Sequence, residues 1–247
     1  MPVLPTQYSL WLSEPQFSYV EIAHTCGFRR LVIDIEHGLF PLLDLDKFLA
    51  FIKAKGMHVL AKVAGPQPEA IQQALDCGAD GVIIPHITDV EQAAHVCSAA
   101  KFPPKGKRSY FGGRPVGYRR PDDSFYAAED RRTRCYPLIE TPESLDHVEA
   151  IAKLDVVDGL FPGPSDLCLS SGRGSYRFDA IDQAAIVRCA KAAASAGKEW
   201  IMPGWTPAER ALAMAHGAIE LVVSTQFALI RNGIERLQHQ LREEGIA

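Results

Sequence analysis

The sequence of 247 residues lacks several features that would mark a particular class of protein. It contains no uninterrupted apolar run that is long enough for a transmembrane helix. Acidic residues outnumber basic ones by 30 to 26, and the formal net charge of −4 gives no basic surface for nucleic acid. No amphipathic segment is rich in lysine and arginine, as a helix lying on a membrane would be. We therefore expect a small molecule, rather than nucleic acid or a membrane, as the partner.

The six cysteines also lack a pattern, since none of them forms a CxxC pair or another spacing typical of metal ligands. Residues 1–15 contain neither a basic segment nor a long apolar segment, so we expect no secretory signal. Reduced and mostly buried thiols in a cytoplasmic protein are the expected state. The cysteines are Cys26, Cys77, Cys97, Cys135, Cys168 and Cys189.

What the sequence does contain is a recurring unit: a helical stretch, a turn with a small residue, and a short apolar run that ends at a polar residue. Residues 74–87, ALDCGADGVIIPHI, are one example. Continuous apolar runs are typical of strands that are buried on both faces, as in parallel sheets. Their regular repetition without a linker predicts a single domain, residues 1–247, with the α/β fold of a (β/α)8 TIM barrel.

These units predict the bounds of individual elements. Thr or Asp followed by Pro or Glu marks several of the helix starts. The strands are expected at 8–12, 30–35, 58–63, 81–85, 107–111, 134–139, 158–162, 199–202 and 220–223. The helices are expected at 16–26, 42–55, 67–77, 89–100, 142–152, 180–196, 206–215 and 225–241.

Two segments interrupt this repetition, residues 110–134 and residues 170–180. The first is rich in glycine, arginine and tyrosine, and the second is short and polar. Both are expected to follow the carboxyl ends of strands, which is the face on which barrel enzymes carry their active sites. A role in the active site and a role as a surface or oligomer contact both stay open for these segments.

Charged side chains are expected at the points where the apolar runs end. Burying several ionisable groups at the mouth of a barrel costs free energy unless they are paired or bind a metal. These residues are Asp34, Glu36, His37, Lys62, Glu140 and Asp166, with His86 as a further titratable group.

Glu140 and Asp166 stand at the ends of two consecutive predicted strands. One alternative is helix capping, because carboxylates stabilise the N-terminus of a helix. Thr141 is the better N-cap, however, and it leaves Glu140 without a capping role. Two carboxylates with no nearby thiol form a partial oxygen shell that suits Mg²⁺, Mn²⁺ or Co²⁺ and leaves positions for water and a chelating substrate. We favour metal binding over capping.

His37 follows the second predicted strand, three residues after Asp34 and next to Glu36. A carboxylate that orients an imidazole is a common way to build a general base that works near neutral pH. His86 has no acidic neighbour in the sequence, so we expect a structural or substrate-lining role for it. Lys62 is a candidate Schiff-base nucleophile, a cation for a substrate carboxylate, or a surface lysine.

Several of these segments together resemble the HpcH/HpaI aldolase family, the metal-dependent (class II) pyruvate aldolases. This family includes 2,4-dihydroxyhept-2-ene-1,7-dioate aldolase and 2-keto-3-deoxyglucarate aldolase. The resemblance covers nearly the whole chain, and its most specific parts are LVIDIEHG (31–38), LIETPESL (138–145) and LFPGPSDL (160–167).

The resemblance implies a role for each of the matching positions. Glu140 and Asp166 would bind the divalent metal, and His37, partnered with Asp34, would act as the catalytic base or acid. The resemblance also implies a catalytic and substrate-binding role for Lys62. The positions implied for binding the pyruvate carboxylate at a helix N-terminus are Gly163, Pro164 and Ser165, together with the N–H of Asp166.

The implied reaction is the retro-aldol cleavage of a 4-hydroxy-2-oxo acid, or its reverse. The metal would stabilise the enolate of pyruvate while His37 moves the hydroxyl proton. Family members commonly assemble as homo-oligomers, hexamers or trimers of dimers, with an exchanged terminal helix. Residues 225–241 are therefore expected to pack on a neighbouring copy.

Three residues depart from the family pattern. Lys62 stands where arginine is usual and cannot reproduce its bidentate fork, Leu138 replaces the glutamine of QIET, and Trp205 is unfamiliar. A siderophore-type citrate synthase, or an oxaloacetate-using condensing enzyme or decarboxylase, is therefore an alternative, and a non-catalytic protein that binds a small acid is a third. Four arginines of one loop would suit a polycarboxylate substrate, or they lie on a solvated or intersubunit surface. They are Arg108, Arg114, Arg119 and Arg120, and Arg108 is expected to contact substrate.

Overall fold

The apolar runs form a closed barrel of eight parallel strands in the computed structural model, which describes residues 6–246. Each strand pairs with the next along the chain, and the last strand pairs with the first. The (β/α)8 fold predicted from the sequence is therefore confirmed. The strands are Gln7–Leu12 (β1), Arg30–Asp34 (β2), His58–Lys62 (β3), Gly81–Ile84 (β4), Arg134–Ile139 (β5), Gly159–Pro162 (β6), Glu199–Pro203 (β7) and Glu220–Thr225 (β8).

Both faces of the barrel are covered, which explains why the strands show no alternation of polar and apolar residues. One face packs against the surrounding helices and forms the larger apolar cluster of the protein. The other face fills the barrel interior with side chains from seven of the strands. These interior residues are Val32, Leu60, Ile83, Tyr136, Leu138, Phe161, Ile201 and Val222.

Helices surround the barrel, and several begin at side chains that cap their first N–H groups. Thr141, Asp179 and Thr206 each form a capping box with the third residue of the helix that follows. No helix in residues 6–246 is long and apolar enough to cross a membrane. The helices are Phe17–Thr25 (α1), Leu42–Ala54 (α2), Pro68–Asp76 (α3), Val90–Cys97 (α4), Asp123–Arg132 (α5), Pro142–Asp146 (α6), Val148–Ala152 (α7), Pro164–Ser170 (α8), Ala180–Ser195 (α9), Pro207–Ala215 (α10) and Gln226–Glu243 (α11).

The strand predicted at residues 107–111 is wrong. β4 and β5 pair directly with each other, so the barrel has no place for another strand between them. The N–H of Lys107 instead donates to the carbonyl of Ser98, 2.7 Å away, directly after the end of α4. The arginine-rich loop therefore follows α4 and leads into α5, and it does not leave the carboxyl end of a strand as predicted. Helix α5 itself, capped by Asp122, was not predicted.

The cysteines have the state that the sequence predicted. All six are free thiols, four of them are buried, and Cys26 is the one that is exposed. Burial raises the pKa of Cys189 to about 12, so this thiol has little thiolate character near neutral pH.

Candidate active site

The carboxyl ends of the strands surround a cavity of about 190 Å³. Because the strands of a barrel are parallel, the residues at their ends meet on one rim even when they are far apart in the sequence. The cavity brings together the predicted residues Asp34, His37, Lys62 and Asp166. It is lined by Trp11, Asp34, His37, Lys62, Leu138, Phe161, Gly163, Pro164, Ser165, Asp166, Pro203, Trp205 and Thr225.

Glu140 follows the last residue of β5, and its side chain is buried. The hydroxyl of Thr141 caps α6 by accepting a hydrogen bond from Ser144, so Glu140 has no capping role. Its Oε1 accepts a hydrogen bond from the backbone N–H of His86 at 2.7 Å. Its backbone carbonyl accepts one from the hydroxyl of Ser170, which ties the end of β5 to α8.

Asp166 lies in the first turn of α8 and is exposed at the cavity. Burial raises the pKa of Glu140 above its ordinary value, and the nearby charge of Asp166 raises it further. The His86 N–H and the Lys62 ammonium act in the opposite direction. The two carboxylates thus repel each other, an arrangement that a divalent cation would stabilise.

The carboxylates of Glu140 and Asp166 fit a cation that keeps most of its coordination positions open. Within residues 6–246 no group of three or more His, Cys, Asp or Glu side chains is arranged to hold a metal. Mg²⁺ typically binds through one or two carboxylates and retains water or substrate oxygens at its other positions. A donor set of two carboxylates is therefore consistent with an open catalytic site and not with a closed structural one.

Gly163 allows β6 and α8 to approach the end of β5. A Cβ atom at this position would lie 3.0 Å from the Cβ of Glu140 and 3.3 Å from Cδ1 of Leu138. Gly163 is also the N-cap residue of α8 and supplies no capping side chain. The first free N–H groups of α8, after Pro164, are those of Ser165 and Asp166, next to the cavity.

The sequence predicted that Asp34 orients the ring of His37, but in the structure Asp34 does not orient this ring. Its Oδ1 accepts a hydrogen bond from the backbone N–H of His37, and its Oδ2 accepts one from the indole of Trp11, both at 3.1 Å. The carboxylate near the His37 ring is Glu36, 3.6 Å from Nε2. Asp34 therefore fixes the loop that carries His37, while the ring itself is 66% exposed and faces the cavity.

Glu36 is the centre of a cluster that the sequence did not reveal. The buried ammonium of Lys62 forms an ion pair with Oε2 of Glu36, at contact distance but without hydrogen-bond alignment. Nε2 of His86 lies 2.6 Å from Oε1 of the same carboxylate. The register of β2 and β3, which places Asp34 beside Lys62, brings these groups together.

Arg108, which was expected to contact substrate, is not among the residues that line the cavity. It is 2% exposed, and its guanidinium pairs with Asp76 at 2.9 Å and stacks on the ring of Phe102. Arg114 pairs with Asp46 on α2 at 2.8 Å. None of the arginines of this loop lines the cavity, and the loop follows α4 and does not leave a strand end.

Trp11 was missed by the sequence reasoning, and the contacts of Glu36 and His86 with each other were not foreseen. Trp11 belongs to a predicted strand end, and its position there was a usable signal. Glu36 precedes His37 directly, but its partners come from other strands and no spacing in the sequence shows them. His86 has acidic neighbours only in space, namely Glu36 and Glu140.

Comparison with known proteins identifies the family. The model of the family described as HpcH/HpaI aldolase/citrate lyase matches residues 7–228. The chain belongs to this family. As an HpcH/HpaI aldolase family member it is a carbon–carbon lyase of the aldolase type, and the resemblance noted in the sequence is confirmed.

Among its relatives, this HpcH/HpaI family member is 34% identical to a 4-hydroxy-2-oxovalerate aldolase of Novosphingobium aromaticivorans, over 72% of this chain and 68% of that protein. It is 30% identical to a 2-keto-3-deoxy-L-rhamnonate aldolase of Klebsiella pneumoniae subsp. pneumoniae, over 94% of this chain and 87% of that one. A citrate synthase structure superposes with a TM-score of 0.88 at 20% identity, covering 98% of this chain and 95% of the other. That likeness shows the shared barrel fold.

Proposed function

We propose that this enzyme cleaves or forms a 4-hydroxy-2-oxo acid, with pyruvate as the 2-oxo acid partner, and that it depends on a divalent cation such as Mg²⁺, Mn²⁺ or Co²⁺. The observation that supports this most directly is the pair of carboxylates, Glu140 and Asp166, at the ends of β5 and β6 beside a small cavity. Relatives that are 30% or more identical to this chain over the aligned residues are named as aldolases acting on such acids.

Different residues around the cavity would bind the cation and the substrate. Glu140 and Asp166 would hold the cation, which when bound supplies Lewis-acid stabilisation of the negative charge that develops on the 2-oxo acid. The N–H groups at the start of α8, next to Gly163 and Ser165 at the cavity, would receive the substrate carboxylate. Lys62 lines the same cavity and adds a positive charge for an oxygen of the acid.

The proton transfer is assigned to His37. Its ring is exposed to the cavity, and Asp34 holds its backbone in place. In the cleavage direction the imidazole removes the proton of the 4-hydroxyl group while the carbon–carbon bond breaks, and it returns the proton in synthesis. Oε2 of Glu36 lies 3.6 Å from Nε2 of this ring.

The first prediction tests this proposal through exchange of the methyl protons of pyruvate in D₂O, followed by NMR with and without Mn²⁺. Exchange should require the cation, and Glu140→Gln should slow it on the order of 100-fold, because one of only two cation ligands loses its charge. Glu143→Gln, which neutralises an exposed carboxylate three residues away on α6, is the matched control and should exchange at the wild-type rate. Exchange that needs no cation, or that survives Glu140→Gln, would contradict the proposal.

The alternative of a citrate-forming or oxaloacetate-using enzyme arose from the departures from the family pattern, and a loop of arginines that would suit a polycarboxylate supported it. Arg108 and Arg114 are engaged with Asp76 and Asp46, and neither lines the cavity. The apolar part of the lining, which includes Leu138 and Trp205, is unsuited to a second carboxylate-rich substrate. We therefore place the aldolase reaction first. The free thiols are compatible with the reducing cytoplasm, where we propose that the enzyme works.

A further inference from the structure

His86 has a backbone conformation that side chains rarely adopt. Its φ is 61°, in the left-handed region, where a residue with a Cβ atom carries strain of about 1 kcal/mol or more. It follows β4 directly after Pro85, on the rim that surrounds the candidate site. Such strain persists only where neighbouring groups hold the residue in place.

Four contacts hold His86, and the longest of them joins its ring nitrogen Nδ1 to Oε1 of Glu140, 3.7 Å away. Its carbonyl accepts a hydrogen bond from the side-chain amide of Gln92 at 3.0 Å. Its ring nitrogen Nε2 lies 2.6 Å from Oε1 of Glu36, which is itself buried and paired with Lys62. Its backbone N–H donates to Oε1 of Glu140 at 2.7 Å.

The left-handed conformation has a consequence for Glu140. It turns the N–H of His86 toward the carboxylate, and this N–H is the hydrogen-bond donor that the structure gives to the Glu140 side chain within residues 6–246. Oε1 is therefore engaged by protein, whereas Oε2 makes no hydrogen bond among the described residues. The carboxylate is fixed in one orientation with one oxygen left for another partner.

We propose that Glu36 and His86 are positioning residues: Glu36 anchors the His86 ring, the anchored residue stays at positive φ, and its N–H orients Glu140 for cation binding. The inference rests on the proposed function, since it assigns a role toward the cation. It gives the imidazole of His86 no contact with cation or substrate, and the ring does not line the cavity.

The positioning role predicts that two substitutions of His86 differ in their effect on Glu140. His86→Ala removes the anchor but keeps the Cβ atom, so the backbone should relax to negative φ and withdraw its N–H from Glu140. His86→Gly removes the same anchor, but glycine adopts positive φ without strain. If the ring itself bound the cation or the substrate, alanine and glycine would be equally harmful. If the ring acts through the backbone, glycine should restore part of what alanine loses.

The measurement is the affinity of the metal-free protein for Mn²⁺, obtained by titration with EPR detection of free Mn²⁺, with no substrate present. We expect about a 10-fold weaker affinity for His86→Ala, the low end of the range for residues that orient a metal ligand, and an intermediate affinity for His86→Gly. Glu36→Gln, which weakens the anchor, should also lower the affinity. His95→Ala removes an exposed imidazole on α4 and should bind Mn²⁺ like the wild type.

The outcomes separate the two proposals. Wild-type affinity in His86→Ala, or equal losses in His86→Ala and His86→Gly, would overturn the positioning role while Glu140→Gln still abolished binding. A wild-type protein that binds no Mn²⁺ would overturn the cation dependence and the positioning role together. Circular dichroism of each variant reports folding, and His86→Ser replaces His86→Ala as the variant that keeps Cβ if the alanine protein does not fold.

Discussion

At the scale of single residues, the contacts of Lys62 distinguish between the three roles that its position allowed. The side chain is buried, so it is not a surface lysine. A Schiff-base nucleophile needs a free amine, whereas the side-chain nitrogen of Lys62 is engaged in an ion pair with Glu36. A fixed cation facing the substrate is the role that agrees with both observations. The sequence placed Lys62 at a strand end but could not show its partner, which comes from the loop after β2.

Replacing Lys62 by methionine should affect both substrate binding and stability. The Michaelis constant for the 2-oxo acid should rise, because an oxygen of the acid loses its cation. The free energy of unfolding should fall by about 3 kcal/mol, because the Glu36 side chain loses its lysine partner and keeps only the contact with His86. Steady-state kinetics and urea unfolding measure the two effects, and Lys47→Met, at an exposed position on α2, serves as the control. Covalent trapping of pyruvate on Lys62 by borohydride would instead establish a Schiff base.

At the scale of elements, the strands were predictable because each one is an apolar run that the barrel buries on both sides. The strand predicted at residues 107–111 is wrong for a different reason. This segment combines basic and aromatic residues in an order that resembles a strand, but its hydrogen bonds go to the end of α4. Only the direct pairing of β4 with β5 shows that no strand lies between them. In the site, the residue types at strand ends were predictable, whereas contacts such as that of Glu36 with His86 depend on how separate loops meet.

The first residue of β3, His58, makes the stability of the barrel depend on pH. Burial, and then the charge of Arg30 on β2, lower its pKa to about 4, while Asp80 acts in the opposite direction. Lys53 and Arg132 are the other charged groups that face it, and both disfavour the imidazolium. Between pH 6.5 and pH 4 the unfolded chain therefore binds a proton that the folded chain does not, so stability falls as the pH falls.

This effect predicts a loss of about 2 kcal/mol of unfolding free energy from His58 between pH 7 and pH 5. Urea unfolding of the wild type and of His58→Gln at the two pH values measures it, because glutamine cannot titrate. The variant should lose about 2 kcal/mol less than the wild type over this interval. Equal losses in the two proteins would show that His58 takes up its proton as readily in the barrel as in the unfolded chain.

At the scale of the whole molecule, α11 differs from the other long helices. Gln226, in its first turn, is buried and accepts hydrogen bonds from the backbone of Ser13 and Glu14. Beyond that turn the helix buries no residue against its own barrel. Its apolar side chains recur at spacings of three, four and three residues, which is the pattern of a helix that packs along another helix. These residues, 42% to 64% exposed, are Phe227, Ile230, Ile234 and Leu237.

We propose that a second copy of the chain covers this apolar stripe, in agreement with the homo-oligomer expected from the sequence. A continuous stripe of large apolar residues is unfavourable in water, and the same stripe on a second copy offers a matching surface. Light scattering after size exclusion should give the wild type a multiple of the chain mass, and Ile230→Asp combined with Ile234→Asp should reduce it. Asn232→Asp adds a charge on the opposite face of α11 and should leave the mass unchanged. A monomeric wild type, or a double variant of unchanged mass, would show that α11 does not mediate assembly.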